Sequence, residues 1–137
     1  MTPRITGTLV LTLTVSDLRR SGDWYRELLG ARESTYVNAD GVLAQVALFE
    51  PDSGVELCLV SHDAARAEPF DETRCGLDHL EFVVAERADL DAWAARLDEL
   101  GIAHSGVKEP EYTSNAMLTF RDPDNIQLEF FWRATRG

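Results

Sequence analysis

The apolar and polar positions of this chain run through the same succession of patterns twice. Residues 9–30, LVLTLTVSDLRRSGDWYRELLG, and residues 78–101, DHLEFVVAERADLDAWAARLDELG, each read as an apolar strand, an acidic start, a Trp-bearing helix and a closing Leu-Gly. Val15 matches Val84 and Trp24 matches Trp93, each 69 positions on. In the first copy, alternation over 7–15 predicts a half-buried strand, with Leu9, Leu11, Leu13 and Val15 on one face and Thr8, Val10, Thr12 and Thr14 on the other. Ser16 or Asp17 caps a helix over about 17–29, which Gly30 ends. Its apolar stripe is Leu18, Trp24, Tyr25, Leu28 and Leu29. Three strands follow near 33–38, 42–50 and 55–61, joined by turns at 39–41 and 51–54.

The polar stretch HDAARAEPFDETRCG, 62–76, reads as a linker between module one (about 7–61) and module two (about 77–132). Module two repeats the order: a strand over 77–84, a helix over 86–100, then strands near 103–108, 115–121 and 126–132, with a turn at Asp122-Pro123-Asp124-Asn125. Each module is therefore predicted as βαβββ in an α+β protein. Strand parity separates a purely apolar face, suited to packing under the helices, from a mixed face. Thr8, Val10, Thr12, Glu56, Cys58, His79, Glu81, Gln127, Glu129 and Phe131 fall on the mixed face.

The tails of the modules repeat as well. EPDSGVELCLV (50–60), read against RDPDNIQLEFF (121–131) with one inserted residue, sets Glu56 opposite Glu129, 73 positions on. His79 falls opposite Val10. A pseudo-twofold made from the modules would gather Val10, Glu56, His79 and Glu129, of which all but the valine are good ligands for a divalent cation.

Bulk properties narrow the classes. A chain of 137 residues with 45% hydrophobic content suits one compact globular domain, or two small halves sharing a core. No apolar run approaches the roughly 20 residues of a membrane span, and no signal peptide is read at the start, so a cytoplasmic location is expected. A net charge of −11 argues against nucleic-acid binding and permits a cationic ligand. Cys58 and Cys75 form neither a disulfide framework nor paired zinc spacing. Trp24 and Trp93 read as core residues, and His62 and His104 as surface residues. No phosphate-cradling glycine loop is present.

The segments at 13–30, 76–101 and 120–131 resemble the vicinal oxygen chelate superfamily of glyoxalases, bleomycin and fosfomycin resistance proteins and extradiol dioxygenases. The resemblance implies paired βαβββ modules in a curved eight-stranded mixed sheet around a pocket, and a homodimer. It also implies a metal set with one ligand from the first and one from the last strand of each module. Carried onto this chain, those positions are Val10, Glu56, His79 and Glu129. The histidine expected at position 10 is therefore missing, which weighs most against extradiol chemistry.

The implied function is a divalent-metal-dependent lyase or isomerase with a degenerate three-ligand site. Glu56, His79 and Glu129 would hold Mn²⁺, Fe²⁺, Ni²⁺ or Zn²⁺, with Glu56 or Glu129 as catalytic base. Val10, Thr12, Cys58, Glu81, Gln127 and Phe131 would line the pocket for a small-molecule substrate. The alternative is a metal-free sequestering protein of the bleomycin-resistance type, which would use its carboxylates and aromatics on a cationic ligand.

Overall fold

The structure, a computed structural model, describes residues 1–5, 10–37, 43–62 and 68–134, with 33–37 and 43–47 described by backbone alone. Thr8 and Leu9 lie outside the described residues. The chain divides into two compact units, Met1–Ala67 and Glu68–Gly137, with the boundary inside the predicted 62–76 segment.

In the first unit the order is β1 (Leu11–Thr14), α1 (Leu18–Leu29), β2 (Arg32–Val37), β3 (Leu43–Phe49) and β4 (Glu56–His62). These strands form one sheet in the order β1-β4-β3-β2, with β1 parallel to β4 and the other pairs antiparallel. The predicted alternation holds along β1: Leu13 and Val15 are buried while Thr12 and Thr14 are exposed. Helix α1 starts where Asp17 accepts a hydrogen bond from the Arg20 N–H at 3.0 Å. It stops at Gly30, whose φ of 63° is left-handed and lets its N–H reach the Arg26 carbonyl. The helix buries Ser21, Gly22, Tyr25 and Leu28. Trp24 is only half-buried and meets Tyr25 edge-on, with ring centroids 4.8 Å apart.

The second unit contains β5 (Leu80–Val83), α2 (Arg87–Glu99), β6 (Ala116–Arg121) and β7 (Gln127–Trp132), with sheet order β5-β7-β6. Its core centres on Phe130, which is 2% exposed. Trp93 from α2 stacks on that ring at 4.1 Å, and Phe120 stacks at 5.2 Å. Leu90, Leu97, Leu118 and Leu128 are fully enclosed. The Asp122–Asn125 turn is built as its residues dictate. The Asp122 carboxylate accepts N–H bonds from Asp124 and Ile126, both at 2.8 Å, and Asn125 takes a left-handed φ of 69°.

Two expectations change here. The described residues form seven strands rather than eight, in a four-stranded and a three-stranded sheet. The strand expected at 103–108 is reduced to two isolated bridges, His104 with Phe120 and Lys108 with Met117. Four steps along 104–108 thus oppose three along β6, so one residue is surplus and the ladder bulges. Gly106 absorbs the bulge at φ 71°. The Ser105 hydroxyl accepts the Thr119 N–H at 3.0 Å in place of a ladder carbonyl. His104 is not the surface residue expected: its side chain is 13% exposed, and its Nδ1 accepts the Gly106 N–H at 3.0 Å.

Nothing lies within 4 Å of a Cβ built on Gly106, so a substitution there meets only the backbone penalty. Gly106→Ala is expected to destabilise the protein by about 1–2 kcal/mol in urea unfolding. An unchanged midpoint would mean that the 103–108 segment tolerates a regular strand.

Candidate metal centre

The parallel register of β5 on β7 builds the site. Leu80 lies beside Leu128, Glu81 beside Glu129 and Val83 beside Phe131. Beyond β7, Glu129 faces Thr119, Phe131 faces Met117 and Gln127 faces Arg121. Glu81, Val83, Gln127, Glu129 and Phe131 therefore lie on the face opposite Phe82, Leu128 and Phe130. His79, just before β5, joins them through its i, i+2 relation to Glu81.

His79, Glu81 and Glu129 each present a ligand atom, and these atoms all lie within 4.8 Å of one another. His79 Nε2 is 2.8 Å from Glu81 Oε1 and 3.9 Å from Glu129 Oε2. His79 Nδ1 is 2.7 Å from Asp78 Oδ1. With carboxylates at both ring nitrogens, the ring is satisfied as an imidazolium that donates both N–H groups. Its pKa is accordingly raised, first by the Glu81 hydrogen bond and then by that from Asp78. Glu129 is also raised, but mainly because burial penalises its charged form and Glu81 repels it. The Glu129 side chain is 6% exposed against 41% for Glu81. One carboxylate is thus fixed in the protein and the other is open to solvent.

The same register revises the module correspondence read from the sequence. Leu11 lies beside Leu57 and Thr12 beside Cys58. The Val15 N–H bonds to the Val60 carbonyl at 2.9 Å, and the Val84 N–H bonds to the Phe131 carbonyl at 3.0 Å. These equivalent bonds match Val60 to Phe131, hence Cys58 to Glu129 and Glu56 to Gln127. The tails align without the inserted residue, and the symmetry argument that selected Glu56 transfers to Cys58. Val10 keeps its correspondence with His79. Cys58 is buried at 3% exposure, while Val10 and Glu56 are half-buried and Thr12 is exposed.

Sequence reasoning assigns Glu81 to the pocket lining and gives Asp78 no role. The signal for Glu81 is the local run His79-Leu80-Glu81, in which alternation sets His79 and Glu81 on one face. Phe131 lies on that face with Arg133 over its ring at 5.9 Å. Thr119, Arg121 and Gln127 border an open cleft.

The family model of the Glyoxalase/Bleomycin resistance protein/Dioxygenase superfamily matches residues 7–130. The chain belongs to this superfamily. Within it, the chain is 30% identical over 119 residues to the glutathione transferase FosA of Serratia marcescens, covering 87% of this chain and 75% of that one. The solved glyoxylase/bleomycin resistance protein/dioxygenase domain from Frankia sp. EAN1pec is 36% identical, with a TM-score of 0.84 over 96% of this chain and all of that one. A fosfomycin resistance protein, FosX from Listeria monocytogenes, shares the fold at a TM-score of 0.65 and 19% identity, covering 93% of this chain and 92% of that one. That structure is of a glutamate-to-glutamine mutant complexed with Mn(II) and 1S,2S-dihydroxypropylphosphonic acid. Among the described residues no helix is long and apolar enough to cross a membrane.

The His79 geometry predicts a pH dependence in metal-free protein. The folded pKa lies above the ordinary value of 6.5, so the stabilisation is complete below 6.5 and is lost as pH rises through the folded value. Urea midpoints should fall over that window, and His79→Gln should flatten the fall. An identical slope in wild type and variant would show that the ring is not held as an imidazolium.

Proposed function

We propose that this chain is a divalent-metal-dependent enzyme of the glyoxalase-like kind, a lyase or isomerase acting on a small molecule that offers paired oxygens. The observation that carries the reading is the grouping of one imidazole and two carboxylates within 4.8 Å, one carboxylate being buried. The donor set is nitrogen and oxygen, which suits Mn²⁺, Fe²⁺, Ni²⁺ or Zn²⁺. The Mn(II) held in the FosX complex, which shares this fold, supports a metal role. The bound ion would supply Lewis-acid polarisation of substrate oxygens.

The residues divide the work. His79 presents Nε2 while Asp78 holds Nδ1. Glu129 contributes a fixed charge whose burial an ion would offset. Glu81, the most exposed of the group, can swing out of it and accept a substrate proton. Gln127 and Phe131 are the proposed pocket lining on this face. Val10, Thr12 and Cys58, with Glu56 as a second proton acceptor, are the first-unit positions that the family resemblance assigns to a pocket, and a homodimer is the proposed assembly.

One observation favours a second reading, a metal-free sequestering protein. Both nitrogens of His79 already meet carboxylates at hydrogen-bond distance, so the ring has its partners without an ion.

Glu129→Gln separates the two. Under the metal reading it lowers Mn²⁺ affinity by more than about 100-fold, beyond the usual loss from an outer partner, and abolishes turnover of vicinal-oxygen substrates. Under the sequestering reading only the affinity for cationic aromatic ligands moves. Val10→His restores the missing ligand type at the position matching His79 and is expected to tighten Mn²⁺ binding. Unchanged affinity in a folded Val10→His protein would remove position 10 from the site.

A further inference from the structure

His79 lies outside the strand ladder, because β5 begins at Leu80. Something other than sheet hydrogen bonding must therefore aim its ring. On the far side of the ring from Glu81, Asp78 Oδ1 sits 2.7 Å from Nδ1. Asp78 is in turn close enough to Arg121 for the two charges to interact.

Arg121 is itself fixed. Its guanidinium donates to both oxygens of Glu72, at 2.8 and 3.0 Å. It also donates to Gln127 Oε1 and to the Asn125 carbonyl, each at 3.1 Å. The segment carrying Glu72 is tied to the same turn by the Phe70 N–H on the Asp124 carbonyl at 2.7 Å, and by Asn125 Nδ2 on the Phe70 carbonyl at 3.0 Å. The residues after 67, read from sequence as part of a linker, thus form a latch across the end of β6 and β7. Bidentate pairing holds the Glu72 carboxyl down at about 2, so the latch keeps its charge through the neutral range.

We propose that Asp78, within reach of the charge of the latched Arg121 and 2.7 Å from Nδ1, is the positioning residue that sets the tautomer and direction of His79. Accepting from Nδ1–H leaves the Nε2 lone pair directed at Glu81 and Glu129, where a cation would sit. Outer carboxylates of this kind fix ring orientation and raise ligand basicity. The inference deepens the metal reading and rests on it for the role of Nε2, while the tautomer itself is a property of the protein alone.

The test uses Asp78→Ala and Glu72→Gln in the full chain, with Asp78→Asn as the conservative rescue. Nitrogen-15 NMR of metal-free protein, above the His79 titration, reads the tautomer. The expected result is Nδ1–H in wild type and in Asp78→Asn, with a shift to Nε2–H, bonded to Glu81, in Asp78→Ala. Mn²⁺ affinity should fall about 10–100-fold in Asp78→Ala, and by a smaller factor in Glu72→Gln, with unchanged circular dichroism. An Nδ1–H tautomer retained in Asp78→Ala overturns the assignment. So does undiminished Mn²⁺ affinity beside wild type that binds the ion. If wild type takes up no Mn²⁺ but the tautomer shifts, the positioning role stands and the metal reading falls. Wild-type affinity in Glu72→Gln removes the latch from the account.

Discussion

Two carboxylates side by side, one of them shut away from water, set the terms for the second unit. The parallel register of β5 on β7 leaves no choice: Glu81 must lie beside Glu129. Burial and mutual repulsion both oppose ionisation of Glu129. A cation between the carboxylates relieves both. The His79 ring stands between Glu81 and Asp78, and its protonation would supply such a cation. A divalent ion would do the same task with greater charge and would release the ring proton. The site is thus arranged around a positive charge, whatever carries it.

The opposite face explains why the register holds. Phe130 is enclosed by Trp93, Phe120 and Phe82, and it belongs to the same strand as Glu129. Moving β7 by one residue would exchange these faces, putting an aromatic ring at the site and a carboxylate under α2. The cost of that exchange fixes the carboxylates in place. Fold and site are therefore coupled through alternation along one short strand.

Much of this was legible in the sequence, because alternation and helix capping act locally. The paired strand–helix repeats, the Asp17 cap, the Gly30 stop and the Asp122–Asn125 turn all follow from nearest-neighbour chemistry. Two things did not. The bulge at Gly106 depends on a side-chain hydroxyl replacing a backbone acceptor, which no periodicity reports. The correspondence between modules depends on cross-strand register. The sequence admitted one inserted residue and pointed to Glu56, whereas the matching Val15 and Val84 bonds select Cys58. A gapless comparison of 55–60 with 126–131, Val55 on Ile126 and Leu57 on Leu128, carries the right answer. His79 and Glu129 are identifiable from the sequence, and Glu81 is legible there as a neighbour of the site. Asp78 escapes a sequence reading because its role requires knowing where the ring turns.

His79, Glu81 and Glu129 are proposed to hold a divalent ion. Elemental analysis after incubation with Mn²⁺, Fe²⁺, Ni²⁺ or Zn²⁺ and desalting addresses it directly. About one ion per chain, lost in His79→Ala, is the expected result for three protein ligands that leave positions open for substrate. No retained ion, or the same ion content in His79→Ala, would contradict it.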